Sequence, residues 1–236
     1  MKIGVFVYNF EHKKSQEGLL ELFLNGIQPD CIFAADPVSI NFYQSKIRIA
    51  PKGIKYIHPR AIARKLNIPY YEVDHSGHQC LNIIKERQLD LGVILGARIL
   101  RGPVVKSFNV GILNMHPGLL PENRGLDNVK WAIIDNISQG VTSHLIDDHI
   151  DRGLLIDKKT IDVYQDDTLI DITLRIQNLE LKMMVDAIRK IENEEIDFMP
   201  LGVGKRNLSI PASVEMYLGE IFESYKERYM LQSRQE

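Results

Sequence analysis

The chain is short of cysteine, of long apolar runs and of net charge. Its 236 residues include only two cysteines, Cys31 and Cys80. Two cannot staple a chain of this size, so a disulfide scaffold is excluded and buried thiols in a reducing compartment, the cytoplasm, are expected. No apolar run approaches the ~20 residues of a membrane helix. Residues 1–8 lack the small-residue cleavage site of a secretory signal and read as a strand instead. Lys and Arg number 29 against 31 Asp and Glu, a net charge of −2, which gives no global pull towards nucleic acid or an anionic membrane. The first turn, Asn9-Phe10-Glu11-His12-Lys13-Lys14-Ser15, has no glycine before Gly18. A backbone cradle for a phosphate is therefore not expected there, and Lys13 and Lys14 read as a solvated pair.

What is present is ordinary for one large soluble domain, or one domain with a small appendage: 44% hydrophobic and 25% charged residues. Apolar runs at 3–8, 31–35, 68–73, 91–96, 110–113, 140–146 and 154–163 predict strands. Between them lie helical patterns. One is capped by Ser15 and runs through Leu19, Leu20, Leu22 and Phe23; another has Pro59 in its first turn; a third opens at Ser76 or Gly77. Residues 128–137 predict a further helix. A long one over 169–195 is capped by Asp167 or Thr168, and a terminal amphipathic one spans 211–234. Strands alternating with helices predict an α/β fold, a Rossmann-like, mostly parallel sheet flanked by helices. The expected boundaries are 1–200 for that domain and 201–236 for a short extension of loop plus helix. Residues 46–65 hold seven Lys/Arg and no acid, either a solvated face or a trap for an anionic substrate. His75, His78 and Cys80 have no second cluster at metal-ligand spacing, so no metal is expected.

The chemistry concentrates in residues 114–125, Asn-Met-His-Pro-Gly-Leu-Leu-Pro-Glu-Asn-Arg-Gly. Side chains alternate along a strand, so Asn114 and His116 point the same way, an amide donor beside a titratable ring. Pro117, Gly118, Pro121 and Gly125 then make a loop, and open α/β sheets bind ligands at the C-terminal tips of their strands. A second segment, residues 140–153, reads Gly-Val-Thr-Ser-His-Leu-Ile-Asp-Asp-His-Ile-Asp-Arg-Gly. Together the two resemble the folate-dependent formyltransferases, whose signature is Asn-x-His-Pro-x-Leu-Leu-Pro followed by Gly-x-Thr-x-His and Asp-x-Gly. The resemblance covers roughly residues 65–165, and Arg152 and Leu154 depart from the family's usual residues.

The resemblance implies 10-formyltetrahydrofolate as formyl donor and Asn114, His116 and Asp151 as catalytic residues. Asp151 taken alone reads as a cap of the turn before Gly153. Arg98, Ile99 and Leu100 resemble the pterin-binding loop, although Arg98 also fits a surface position. Ile146, Asp147 and Asp148 would form the facing wall of the folate pocket, with Leu120-Pro121 in the cis form. His144 is either a packed neighbour of the site or an acceptor contact. Asn123 and Arg124, part of an Asn-Arg-Gly found in some sugar formyltransferases, are candidate acceptor contacts. The missing glycines disfavour glycinamide ribonucleotide, and the length and unbiased tail disfavour a tRNA partner. A nucleotide-linked amino sugar is the expected acceptor. Glycinamide ribonucleotide, hydrolysis of the folate and folate binding without turnover stay open, as does the oligomeric state, a homodimer included.

Overall fold

The computed structural model describes residues 1–38, 45–149 and 151–232. In chain order, β1 (Ile3–Tyr8), α1 (Lys13–Leu24) and β2 (Cys31–Ala35) are followed by α2 (Pro59–Lys65), β3 (Tyr70–Glu72), α3 (His78–Arg87) and β4 (Leu91–Ile94). Then come α4 (Gly102–Val105), β5 (Gly111–His116), β6 (Arg124–Gly125), α5 (Asn128–Ile134), β7 (Gly140–Ile146) and β8 (Gly153–Thr160). The chain continues with α6 (Leu169–Glu192), β9 (Met199–Pro200), β10 (Arg206–Asn207), α7 (Ala212–Glu215) and α8 (Leu218–Gln232). Among the described residues, eight strands form one sheet in the order β3-β2-β1-β4-β5-β7-β8-β9, and β10 pairs with β6. The sheet is parallel from β3 to β5 and antiparallel from β5 to β9. It is a mixed α/β sheet of the Rossmann-like kind, flanked by helices.

Both faces of the parallel part are covered, which is why its strands read as unbroken apolar runs. Val5, Val7, Val93, Leu113 and Met115 share one core with Leu19 and Leu22 of α1 and Ile172, Ile176, Met183 and Met184 of α6. Phe6, Phe33 and Ile112 face the other way, into a core with Ile84 of α3 and Val104 and Val105 of α4. Period-two alternation along β5 therefore puts Asn114 and His116 on the face of Ile112, away from α6. Gly18 lets α1 come down on the sheet: a Cβ there would lie 2.3 Å from a Leu95 methyl.

Several element bounds differ from expectation for physical reasons. Helix α1 is capped by His12, whose backbone is extended and whose ring accepts from the Ser15 N–H. The Ser15 hydroxyl is diverted to Leu95 O, 2.9 Å away. Strand β5 runs on to His116, because β7 continues to pair with Asn114, Met115 and His116 after β4 has left the ladder at Leu113. Helix α6 stops at Glu192, and its cap is Thr168 in a capping box with Asp171. The terminal helix is two pieces, α7 and α8, and the expected end at Arg234 lies outside the described residues. The break lets Glu215 and Leu218 both be buried. Residues 200–232 lie against the rest: Pro200 pairs with Leu154, Asn207 with Gly125, and Leu218, Phe222 and Tyr225 belong to the α6-side core. Of the basic stretch, Arg60 pairs with Glu72 across the surface.

Candidate active site

The motif residues meet where β5, β6 and the loop after β7 come together. His116 ends β5 and is buried. Its Nδ1 lies 3.4 Å from Asp151 Oδ1, and its Nε2 lies 2.8 Å from the Asn123 carbonyl and 3.1 Å from Asn128 Nδ2. Asn128 Nδ2 also donates to Asn123 O at 2.9 Å, and Asn123 Nδ2 donates to Asn128 O at 2.9 Å. Asp151 sits in the left-handed region at φ 49, which aspartate tolerates better than most residues. Its second oxygen accepts the Gly125 N–H at 2.8 Å. Burial works to raise the Asp151 carboxyl, but the His116 hydrogen bond and charge and the Gly125 N–H outweigh it and hold it below the usual carboxylate range.

Asn114 and His144 are cross-strand neighbours in the β5–β7 register, which brings Asn114 Nδ2 to 3.2 Å from His144 Nε2. The other ring nitrogen of His144 donates to Arg152 O at 3.2 Å. Burial pushes His144 down to about 4, so the ring is neutral near pH 7 and Nε2 can accept. One amide hydrogen of Asn114 is thereby committed to His144 and the other is aimed elsewhere. Leu120-Pro121 is cis, as expected.

The remaining candidates fall into two groups. Leu100 is buried in the α4-side core with Ile112, and Ile146 packs on the same cluster. Arg98 donates from Nη2 to Asp36 O at 2.7 Å and stacks over the Tyr8 ring. Ile99 is 71% exposed, but its carbonyl accepts from the Ser76 hydroxyl. Asp147 Oδ1 accepts the His149 N–H, and Asp148 pairs with Lys106 at 2.7 Å close against Gly102. The 98–102 and 146–149 loops thus meet at Asp148; Ile150, between them and Asp151, lies outside the described residues. A cleft of about 530 Å³ shares Ile146, Asp147 and Asp148 with the expected folate wall. Val105, Phe108 and Leu201 also line it, and residues 98–100 do not. Arg124, an expected acceptor contact, is buried and donates to Gly204 O at 2.9 Å. Its guanidinium holds the C-terminal segment.

The family model described as "Formyl transferase" matches residues 55–188. The chain belongs to the formyl transferase family. A methionyl-tRNA formyltransferase of Chlorobium chlorochromatii is 28% identical over 131 residues, 55% of this chain and 42% of that protein. The chain spans less than half the length of the curated relatives it matches. Solved formyltransferases share the fold. A phosphoribosylglycinamide formyltransferase of Anaplasma phagocytophilum superposes with a TM-score of 0.65 at 20% identity, covering 87% of this chain and 98% of that one. An N-formyltransferase of Helicobacter canadensis, solved with folinic acid and dTDP-3-aminofucose, gives 0.64 at 17% identity over 97% and 82%.

Several residues around His116 and Asp151 were not legible in the motif. Asn128 reads as a helix start, Gly125 as a turn glycine and Lys14 as solvent-facing. In the structure Asn128 touches the His116 ring, Gly125 anchors Asp151, and Lys14 Nζ donates to Met115 O at 3.0 Å. His75, rejected as a metal ligand, is buried between Phe33 O and the Arg98 N–H, which its Nδ1 accepts. It holds the loop that carries Arg98. A strand of apolar residues with Asn114 and His116 at its end offers no signal for such partners, because they arrive from other segments of the chain.

Proposed function

We propose that this chain transfers a formyl group from 10-formyltetrahydrofolate to a primary amine, that of a nucleotide-linked amino sugar. The observation that carries the reading is Asp151 beside His116, with Asn114 one period back on the same strand face. The amine nitrogen attacks the formyl carbon and charge builds on its oxygen. The free N–H of Asn114, oriented by His144, donates to that oxyanion, an interaction worth ~2.7–4 kcal/mol of barrier in comparable sites. Asp151 takes the proton that the attacking nitrogen loses, directly or through water, while His116 and the Gly125 N–H keep the carboxylate in place. The proton passes to the folate N10 as the carbon–N10 bond breaks, so formamide and tetrahydrofolate leave with no net proton uptake. No covalent nucleophile is needed.

Two features support a sugar-linked amine over a phosphomonoester seated at the first turn. That turn has no glycine cradle, and its Lys14 is already neutralised by Glu180, 2.7 Å away. The shared fold of the Helicobacter canadensis protein, whose structure holds an amino sugar linked to dTDP, supports the same class by analogy. The test is a panel of nucleotide-linked amino sugars, with glycinamide ribonucleotide and water as controls, incubated with 10-formyltetrahydrofolate and read by product mass. Formylation of an amino sugar is expected. Formate release at the same rate without any amine would replace this reading with a hydrolase. A non-reactive folate analogue is expected to raise Tm, because it binds only the folded state; no shift at saturation would remove the donor.

A further inference from the structure

We infer that Lys14 and Glu180 brace the catalytic strand and are positioning residues for formyl transfer, which rests on the function proposed above. Strand β4 pairs with β5 only as far as Leu113, so on that side the Met115 carbonyl lies beyond the last rung. A buried backbone carbonyl needs a partner, and Lys14 supplies it from the first turn of α1. The next residue does the same for β4, the Ser15 hydroxyl donating to Leu95 O. Consecutive residues of one helical turn therefore take up the carbonyls that two neighbouring strands leave bare.

Glu180 completes the brace. It lies on the apolar stripe of α6, four residues after Ile176 and three or four before Met183 and Met184, and is itself buried. A carboxylate there is costly unless paired, and its partner is the Lys14 ammonium at 2.7 Å. Lys14 is thus held between α6 and β5. Met115 stands between Asn114 and His116, its side chain in the α6-side core and theirs on the opposite face. Any tilt of the Met115 peptide swings both neighbours, and a displacement of about 1 Å at reacting groups can cost ~10²-fold in rate.

The experiment uses the full chain with Lys14→Met, Lys14→Arg and the double variant Lys14→Met/Glu180→Leu, which removes the brace without leaving a bare buried carboxylate. Turnover of the best amine acceptor, KM for the folate, Tm, and amide hydrogen exchange over residues 114–118 are measured on each. In Lys14→Met, kcat is expected to fall about tenfold or more, with KM for the folate within about twofold and faster exchange at 114–118. Lys14→Arg should restore most of the turnover, and the double variant should recover Tm but not kcat. Near wild-type kcat in Lys14→Met, or recovery of both Tm and kcat in the double variant, overturns the inference. If the wild-type chain formylates no amine, the proposed function falls on its own. The brace is then decided by exchange, and unchanged protection at 114–118 in the double variant overturns it.

Discussion

In the proposed mechanism Asp151 has two jobs that one substitution can separate. Asparagine tolerates the left-handed backbone and can still accept the Gly125 N–H, but it carries no charge and cannot take a proton. Asp151→Asn is expected to lower turnover by about 10²-fold or more and to leave the affinity for a folate analogue within about threefold. Near-normal turnover with a lowered Tm would make Asp151 a turn residue only. Because its carboxyl is held below the usual range, its favourable contribution is complete above that range and is lost only as pH falls through the lowered value. Gly125 is the second residue to probe. Its φ is +104, and an added Cβ would lie 2.0 Å from the Asn207 carbonyl. Gly125→Ala should cost about 1–3 kcal/mol in backbone strain alone, a Tm loss of ~2–4 °C per kcal/mol. Turnover of the folded remainder should fall with it, since the N–H that anchors Asp151 moves. An unchanged Tm would show that β10 yields freely. Asn114, His116 and Asp151 could be singled out from the motif because spacing along a strand and a polar loop are local properties. It could not reveal Asn128, Lys14 or the burial of Arg124, which depend on which distant segment folds against them.

At the scale of elements, strands in a doubly covered sheet announce themselves by apolar content. Residues 3–8, 31–35 and 140–146 were accordingly legible to the residue. Ends set by tertiary partners were not: β5 extends because β7 accompanies it, and the terminal helix breaks where Glu215 turns inward. That inward turn ends in a buried ion pair. Lys130 Nζ of α5 donates to Glu215 Oε1 at 2.6 Å, both side chains almost fully buried. The Lys46 N–H adds a bond to the other carboxylate oxygen. Breaking such a pair from one side leaves a buried charge, so Lys130→Met is expected to cost ~3–5 kcal/mol. Lys130→Met/Glu215→Leu should recover most of that, as apolar replacement of a whole buried pair often does. Urea unfolding of the single and double variants checks this, and equal stability of the single variant and wild type would show that the pair is solvated in solution.

For the whole molecule, three buried histidines add to the response to acid that the carboxylates set. His12, His75 and His144 are each pushed down to about 4, in every case chiefly by burial. Between about pH 4 and the ordinary histidine value of ~6.5 the unfolded chain binds protons that the folded chain refuses, so stability rises with pH across that window. The unfolding free energy from urea titrations should therefore rise from pH 4 to 6.5, by up to about three protons' worth of slope. His144→Gln should remove about one of them; a flat profile would mean the rings are hydrated and titrate normally.

The pairing of β10 with β6, and of Glu215 with Lys130, also bears on how the protein is made. A ribosome adding ~5–20 residues per second needs several seconds to travel from Asp151 to Glu215. During that interval the nascent chain already contains Asn114, His116 and Asp151, but Gly125 has no strand beside it and Lys130 has no carboxylate. The surroundings of these three residues are then completed late in synthesis, and the unfinished sheet is open to chaperones and proteases meanwhile. Lesions between residues 200 and 215 should accordingly show first as a poor yield of soluble protein in the cell, before any purified variant reveals a slower reaction.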